Sequence, residues 1–115
     1  DLAYIHVIEG QTGGDRDFKQ GTNAAFDYKA LRQAYEKAGG KAKWMVNNGY
    51  DRDLAIDAVE SGRADLVAFG KPFIANPDLV GRLEKNLPLN TPVQATFYGG
   101  GPKGYIDYPV IEKAA

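Results

Sequence analysis

Three short apolar segments alternate along this chain with segments that have the spacing of amphipathic helices. The apolar segments are 2–8, 43–47 and 66–69, and the helical segments are 27–38, 51–62 and a third that starts near residue 76. Short runs rich in apolar, aromatic and β-branched residues indicate strands, because a helix would need more length. Such a repeat is typical of parallel βα units with right-handed crossovers. The chain is therefore predicted to be an α/β protein with a parallel sheet.

Each predicted helix carries local signals for its ends. Asp27 and Asp51 are placed as N-caps, and Gly39–Gly40 and Gly62 are placed as stops. The pair Asn76–Pro77 is predicted to open the third helix as N-cap and first helical residue. The residues predicted to face the core are Tyr28, Leu31, Ala34, Tyr35 and Ala38 in the first helix, Leu54, Ala55, Ala58 and Val59 in the second, and Leu79, Val80 and Leu83 in the third.

Two segments lack a regular pattern. Residues 9–25 are polar and rich in glycine, which predicts a loop longer than most βα connections. Residues 88–115 contain four prolines and a run of glycines, so little regular structure is expected there. Long loops of this kind often line binding sites in compact α/β proteins.

The composition excludes several classes of function. The chain has 14 Lys plus Arg against 15 Asp plus Glu, so it lacks the basic excess of a nucleic-acid surface. It has no cysteine, which excludes disulfides and thiolate metal sites and is compatible with a reducing cytosol. No apolar run approaches about 18 residues, so no membrane span is predicted.

The stretch Ala64–Asp78 combines features of an anion site. Gly70 lets the backbone approach a ligand, Lys71 offers a cation, and the start of the following helix adds N–H donors. The alternative is an ordinary βα loop with an exposed lysine, which is the commoner case on these features alone. The stretch lacks the serine or threonine and the glycine spacing of a P-loop.

Three motifs resemble one known family in the same order along the chain. They are LAYIHVIEG at 2–10, GRADLVAFGKPFIANPDLVGRL at 62–83 and FYGGGPKGYIDYP at 97–109. Together they are similar to the C-terminal part of the Old Yellow Enzyme family. The resemblance implies an FMN-containing (β/α)8 TIM barrel, of which this chain supplies the last three βα units and an irregular tail. It also implies an ene-reductase, related to N-ethylmaleimide reductase, that oxidises NADPH and reduces activated alkenes.

The resemblance also implies where the cofactor lies. Phosphate sites of such barrels often lie in the loops after the seventh and eighth strands, which are the second and third strands here. By resemblance, the backbone amides of Asn48, Gly49 and Gly70 and the side chain of Lys71 contact the FMN phosphate. Lys71 stands where the family commonly has arginine, so looser phosphate geometry is expected. The pair Phe97–Tyr98 is implied to line the flavin and the substrate pocket, although the same pair could simply anchor the tail.

Other polar groups are assigned structural roles. Asn47 could bond a ligand or cap the turn that follows it, and the Asn-Asn-Gly sequence favours the turn. His6 is the only histidine, and we expect it to be packed and hydrogen-bonded in a buried strand without binding a metal. Gly99–Gly104 satisfies G-x-G-x-x-G but lacks the strand before it and the helix after it, so no dinucleotide site is expected.

The length also predicts a partner. The chain has 115 residues, whereas a complete barrel needs roughly 250, and Asp1 lies almost directly on a predicted strand. We therefore expect a truncated, cleaved or split barrel whose complementary chain carries the catalytic residues, so no catalytic residue is assigned here. The implied small-molecule partner is an activated alkene. The alternative is a non-catalytic assembly piece that binds a phosphate at most.

Overall fold

The computed structural model describes residues 1–10 and 26–111, which divide into two compact units, Asp1–Ala68 and Phe69–Ala115. The first unit holds a parallel sheet in the order β1-β2-β3. Its elements are β1 (Tyr4–Ile8), α1 (Tyr28–Lys37), β2 (Lys43–Asn47), α2 (Arg52–Glu60) and β3 (Leu66–Val67). Tyr4 pairs with Lys43 and Met45 with Leu66. The predicted parallel βα arrangement is confirmed.

The predicted helix ends of the first unit are also confirmed. The Asp27 carboxyl accepts a hydrogen bond from the Ala30 amide at 2.9 Å, and Asp51 accepts one from the Leu54 amide at 2.9 Å. Gly39 has a φ of +89° after α1, a conformation that glycine adopts without strain. A side chain at the next residue, Gly40, would overlap the Tyr35 ring. Local sequence therefore determines where α1 begins and ends.

The core of the first unit lies on one face of the sheet. Trp44 and Val46 are buried there, together with Ala58 of α2. The predicted apolar face of α1 packs only in part: Tyr35 lies against the buried Trp44 ring, whereas Leu31 is 42% exposed and no residue of α1 is buried. Polar contacts also hold this helix, since the Arg32 guanidinium donates to the carbonyls of Gly62 and Arg63 at 3.0 Å each.

The prediction that the first strand is buried is wrong as well. In β1 only Ile5 and Val7 are partly covered, while Tyr4 and Ile8 are 52% and 62% exposed. His6 shares their face and is exposed, so it is not the packed histidine that the sequence predicted. The physical reason is that β1 is an edge strand and no described element covers its second face.

The second unit contains α3 (Lys71–Ala75), α4 (Leu79–Lys85) and a short 3₁₀ helix at Gln94–Thr96. The predicted N-cap Asn76 is wrong, because α4 begins at Leu79 after Asp78. Asn76 is fully buried: its side-chain nitrogen donates to the Pro72 carbonyl at 2.8 Å, and its oxygen accepts from the Asn90 amide at 2.7 Å. Residues 88–111 are otherwise irregular, as predicted. The predicted loop 9–25 lies, from residue 11 onward, outside the described residues.

Hydrogen bonds from the buried side chain of Arg82 connect this irregular tail to α4. Arg82 is 4% exposed, and its guanidinium donates to the carbonyls of Pro88 and Pro109 at 2.8 Å each. Its Nε donates to the Asp78 carboxyl at 2.7 Å. The second carboxyl oxygen of Asp78 accepts a hydrogen bond from the Ile111 amide at 2.9 Å.

No helix among residues 1–10 and 26–111 has the length and apolarity needed to cross a membrane.

Candidate functional site

The turn after β2 is held in an unusual backbone conformation. Asn48 has a φ of +94° and Gly49 a φ of +67°. A positive φ is uncommon for a residue with a side chain, although asparagine tolerates it better than most. The Asn48 side-chain nitrogen donates to the main-chain carbonyl of Glu9 at 2.6 Å, which ties this turn to the end of β1.

A polar cluster that includes Tyr50, the residue after this turn, was not predicted from the sequence. The buried Tyr50 hydroxyl donates to the Glu9 carboxyl, and Arg63 donates to the Tyr50 hydroxyl at 2.7 Å. Arg63 also lies 3.6 Å from the Glu9 carboxyl and 3.5 Å from that of Asp57. Burial lowers the pKa of Arg63, but the hydrogen bond to Tyr50 and the charge of Glu9 outweigh it and raise the pKa. The guanidinium therefore stays charged.

One sequence signal could have indicated this cluster. Glu9 directly follows an apolar strand, and an ionisable group at a strand end needs a partner if it is buried. The partner could not be identified, because Tyr50 lies 41 residues further along the chain. The cluster links the segment just after β1 to the segment just after β2.

Asn47, the last residue of β2, does not play the expected role. Its side-chain oxygen is buried and has no hydrogen-bond partner among the described residues. The interpretation of Asn47 as a cap of the following turn is therefore wrong for this oxygen. The side chain of the next residue, Asn48, makes the contact that secures the turn.

The second pair of predicted phosphate contacts lies in the second unit. Gly70 precedes α3 and has no atom within 4 Å of the position that a side chain would take. Lys71 is exposed and makes no ion pair with a described residue. The helix start expected at Asn76–Pro77 is replaced by a five-residue α3 that begins at Lys71 and by α4, which begins at Leu79. The contribution of helix N–H groups to an anion site stays a prediction. What remains is a glycine backbone beside an available ammonium group.

The aromatic pair of the tail divides into two environments. Phe97 is 7% exposed within the second unit, whereas Tyr98 is 94% exposed. Their ring centroids lie 6.1 Å apart with planes at 86°. Phe97 thus fits the role of a tail anchor, and Tyr98 does not. The assignment of both residues to the cofactor stays a prediction.

Two further observations concern other kinds of site. A pocket of about 420 Å³ in the first unit is lined by Arg32, Trp44, Val46 and Arg63 among others, so it lies on the helix-covered face of the sheet. No cluster of three or more potential metal ligands occurs within residues 1–10 and 26–111. Gly99–Gly104 follows a 3₁₀ helix and leads into turns, so the strand before it and the helix after it that a dinucleotide fingerprint needs do not occur there.

The alternating strands and helices and the parallel sheet define the first unit as a parallel α/β structure. The family described as NADH:flavin oxidoreductase / NADH oxidase matches residues 1–90. The chain belongs to this family, which confirms the resemblance to the Old Yellow Enzyme family.

Named relatives support this assignment. The chain is 38% identical over 111 residues to 12-oxophytodienoate reductase 7 of Oryza sativa subsp. japonica, covering 96% of this chain and 28% of that protein. It is 34% identical to a 12-oxophytodienoate reductase-like protein of Solanum lycopersicum over 99% of this chain and 28% of that one. The chain thus spans between a quarter and a third of these relatives. Their names do not favour the alternative of a non-catalytic piece.

Solved structures of related enzymes support the same family assignment. Morphinone reductase superimposes with a TM-score of 0.76 at 36% identity, covering 96% of this chain and 27% of that one. A variant of NCR from Zymomonas mobilis superimposes with a TM-score of 0.77 at 33% identity, covering 96% and 33%. These relatives are TIM-barrel enzymes, and the three-stranded parallel sheet corresponds to a part of such a barrel.

Proposed function

We propose that this chain forms the FMN phosphate-binding part of an ene-reductase that oxidises NADPH and reduces activated alkenes. The observation that carries the proposal is the family match over residues 1–90, joined to the turn after β2, where Asn48 and Gly49 both have a positive φ. A morphinone reductase structure that contains tetrahydroNAD supports a nicotinamide as the reductant. The reductases of oxophytodienoate and morphinone support an α,β-unsaturated carbonyl compound as the substrate class.

Each of the two strand-end segments, taken by itself, fits a flavin phosphate. Asn48–Gly49 and Gly70 offer backbone N–H groups after two neighbouring strands, and Lys71 offers an ammonium group without a described ion partner. Backbone donors and a point charge suit phosphate oxygens, which only accept hydrogen bonds when ionised. When bound, the flavin supplies hydride transfer between the nicotinamide and the alkene. The role of this chain is to hold and orient it.

We further propose that other βα units complete the barrel. Both β1 and β3 are edge strands of the described sheet, and the face that carries Tyr4, His6 and Ile8 is exposed. Edges and faces of this kind require cover in a parallel sheet. The missing units, on the same chain or on a complementary one, would provide it and would supply the groups that activate the alkene.

The test uses purified protein that carries this chain. We expect the absorbance spectrum of bound FMN, its bleaching by NADPH without oxygen, and its recovery when an α,β-unsaturated ketone is added. NADH in parallel measures the nicotinamide preference. Protein that binds no flavin after incubation with excess FMN would contradict the proposal. Bleaching without recovery by any activated alkene would limit the function to nicotinamide oxidation.

A further inference from the structure

A buried acceptor without a donor lies at the carboxyl end of β2. The side-chain oxygen of Asn47 is excluded from solvent and has no hydrogen-bond partner among the described residues. Most buried polar atoms in native proteins are hydrogen-bonded, because an unpaired one keeps the cost of its lost hydration. An orphaned acceptor therefore indicates that a donor is supplied by something else.

The position of Asn47 in the strand shows which side of the sheet needs this donor. Alternate residues of a strand point to opposite faces, and the buried residues Trp44 and Val46 occupy the face toward Tyr35 of α1. Asn47 shares the other face with Lys43 and Met45. When parallel strands of this type close into a barrel, that face lies inside, and ligands bind at the carboxyl ends.

The chemistry of the donor follows from the neighbouring residues. Asn48 and Gly49, which come next in the chain, are the proposed donors to the FMN phosphate. A fully ionised phosphate offers only acceptors, and the N–H of the flavin ring lies at the far end of the cofactor. The group next to the phosphate is the ribityl chain, whose hydroxyl groups can donate. We propose that the Asn47 side-chain oxygen accepts a hydrogen bond from a ribityl hydroxyl of FMN, an inference that rests on the proposed function.

Three flavins separate this contact from the phosphate contact. FMN has both groups, riboflavin has the ribityl chain without the phosphate, and lumiflavin has neither. Asn47→Leu keeps a side chain that branches at the same carbon and removes the acceptor. Met45→Leu is the matched control, because Met45 lies on the same face of β2 and has no such acceptor. Each variant is made in the protein that carries this chain, stripped of flavin and titrated with the three ligands by fluorescence.

We expect Asn47→Leu to weaken FMN and riboflavin by a similar factor of about three to ten, as for loss of one hydrogen bond. Lumiflavin should bind as it does to the unaltered protein, and Met45→Leu should change none of the three affinities. The melting temperature of flavin-free Asn47→Leu should be unchanged or higher, because the substitution removes an unpaired polar atom.

Two results would overturn the inference while leaving the proposed function intact. One is an equal loss for all three flavins with a lower melting temperature of the flavin-free variant, which would show that a protein group donates to Asn47. The other is unchanged affinity for FMN and riboflavin. Failure of the unaltered protein to bind FMN would overturn the proposed function itself and this inference with it.

Discussion

Lys71 is the residue whose role depends most directly on charge. It directly follows Gly70, it is exposed, and no described residue competes for its ammonium group. An ammonium group binds phosphate as a point charge, so the side chain needs little geometric precision. The proposed contact can therefore be removed without disturbing the packing around it.

In the complete protein, we expect Lys71→Ala to weaken FMN binding about ten- to a hundredfold, which corresponds to a charge-assisted hydrogen bond of about 1.5 to 3 kcal/mol. Riboflavin affinity should change little, and Lys71→Arg should retain FMN. Titration of flavin-free protein with both ligands measures the effect. Equal losses for the two flavins, or none for either, would return Lys71 to the status of an ordinary loop residue.

The Glu9–Tyr50–Arg63 cluster is expected to contribute to stability. Tyr50→Phe removes the hydroxyl that donates to Glu9 and accepts from Arg63. Leaving buried polar partners unsatisfied costs about 1 to 3 kcal/mol, so the free energy of unfolding should fall by that amount. Denaturant unfolding of the Tyr50→Phe variant and of the unaltered protein measures this difference in free energy. Tyr98→Phe is the control, because Tyr98 is exposed and should change stability by less than about 0.5 kcal/mol.

At the scale of the elements, the start of α4 contacts the tail through a group that titrates, the carboxyl of Asp78, which accepts from the Ile111 amide. The Ile111 amide, assisted by the Arg82 guanidinium, holds the pKa of Asp78 below its ordinary value. In the unfolded chain an aspartate carboxyl has a pKa of about 3.9. The contact therefore stabilises tail docking fully above that pH and is lost as the pH falls through the lower, folded pKa.

We expect the NMR shift of the Ile111 amide to titrate with a midpoint below about 3.9. Asp78→Asn keeps an acceptor oxygen that cannot ionise, so the same transition should disappear. A midpoint at or above the ordinary aspartate value, or a transition that persists in Asp78→Asn, would show that Asp78 does not control this contact.

At the scale of the whole molecule, the first unit exposes apolar surface and unpaired strand edges. Ile8 and Leu66 of the edge strands are exposed, and so is Leu31 of α1. Exposed edges and apolar faces favour association in water. With 14 basic and 15 acidic residues, the chain has little net charge to oppose it.

The isolated 115-residue chain is therefore expected to self-associate. Light scattering coupled to size-exclusion chromatography should give a mass that rises with protein concentration. Addition of a polypeptide that carries the remaining βα units should suppress this rise by covering the same surfaces. A compact monomer over a wide concentration range would contradict the expectation.

The sequence by itself determined what depends on neighbours within about one helical turn. Asp27 and Asp51 cap helices through amides three residues away, and the alternation of strands and helices gave the parallel sheet. Tertiary structure decided the rest, because burial depends on what packs across space. His6 is exposed because no described element covers its face of the sheet. Asn76, expected as a helix cap, is buried and accepts a hydrogen bond from the Asn90 amide of the tail. Tertiary structure also joined Glu9 to Tyr50, since a hydrogen bond between residues 41 positions apart leaves no local signal.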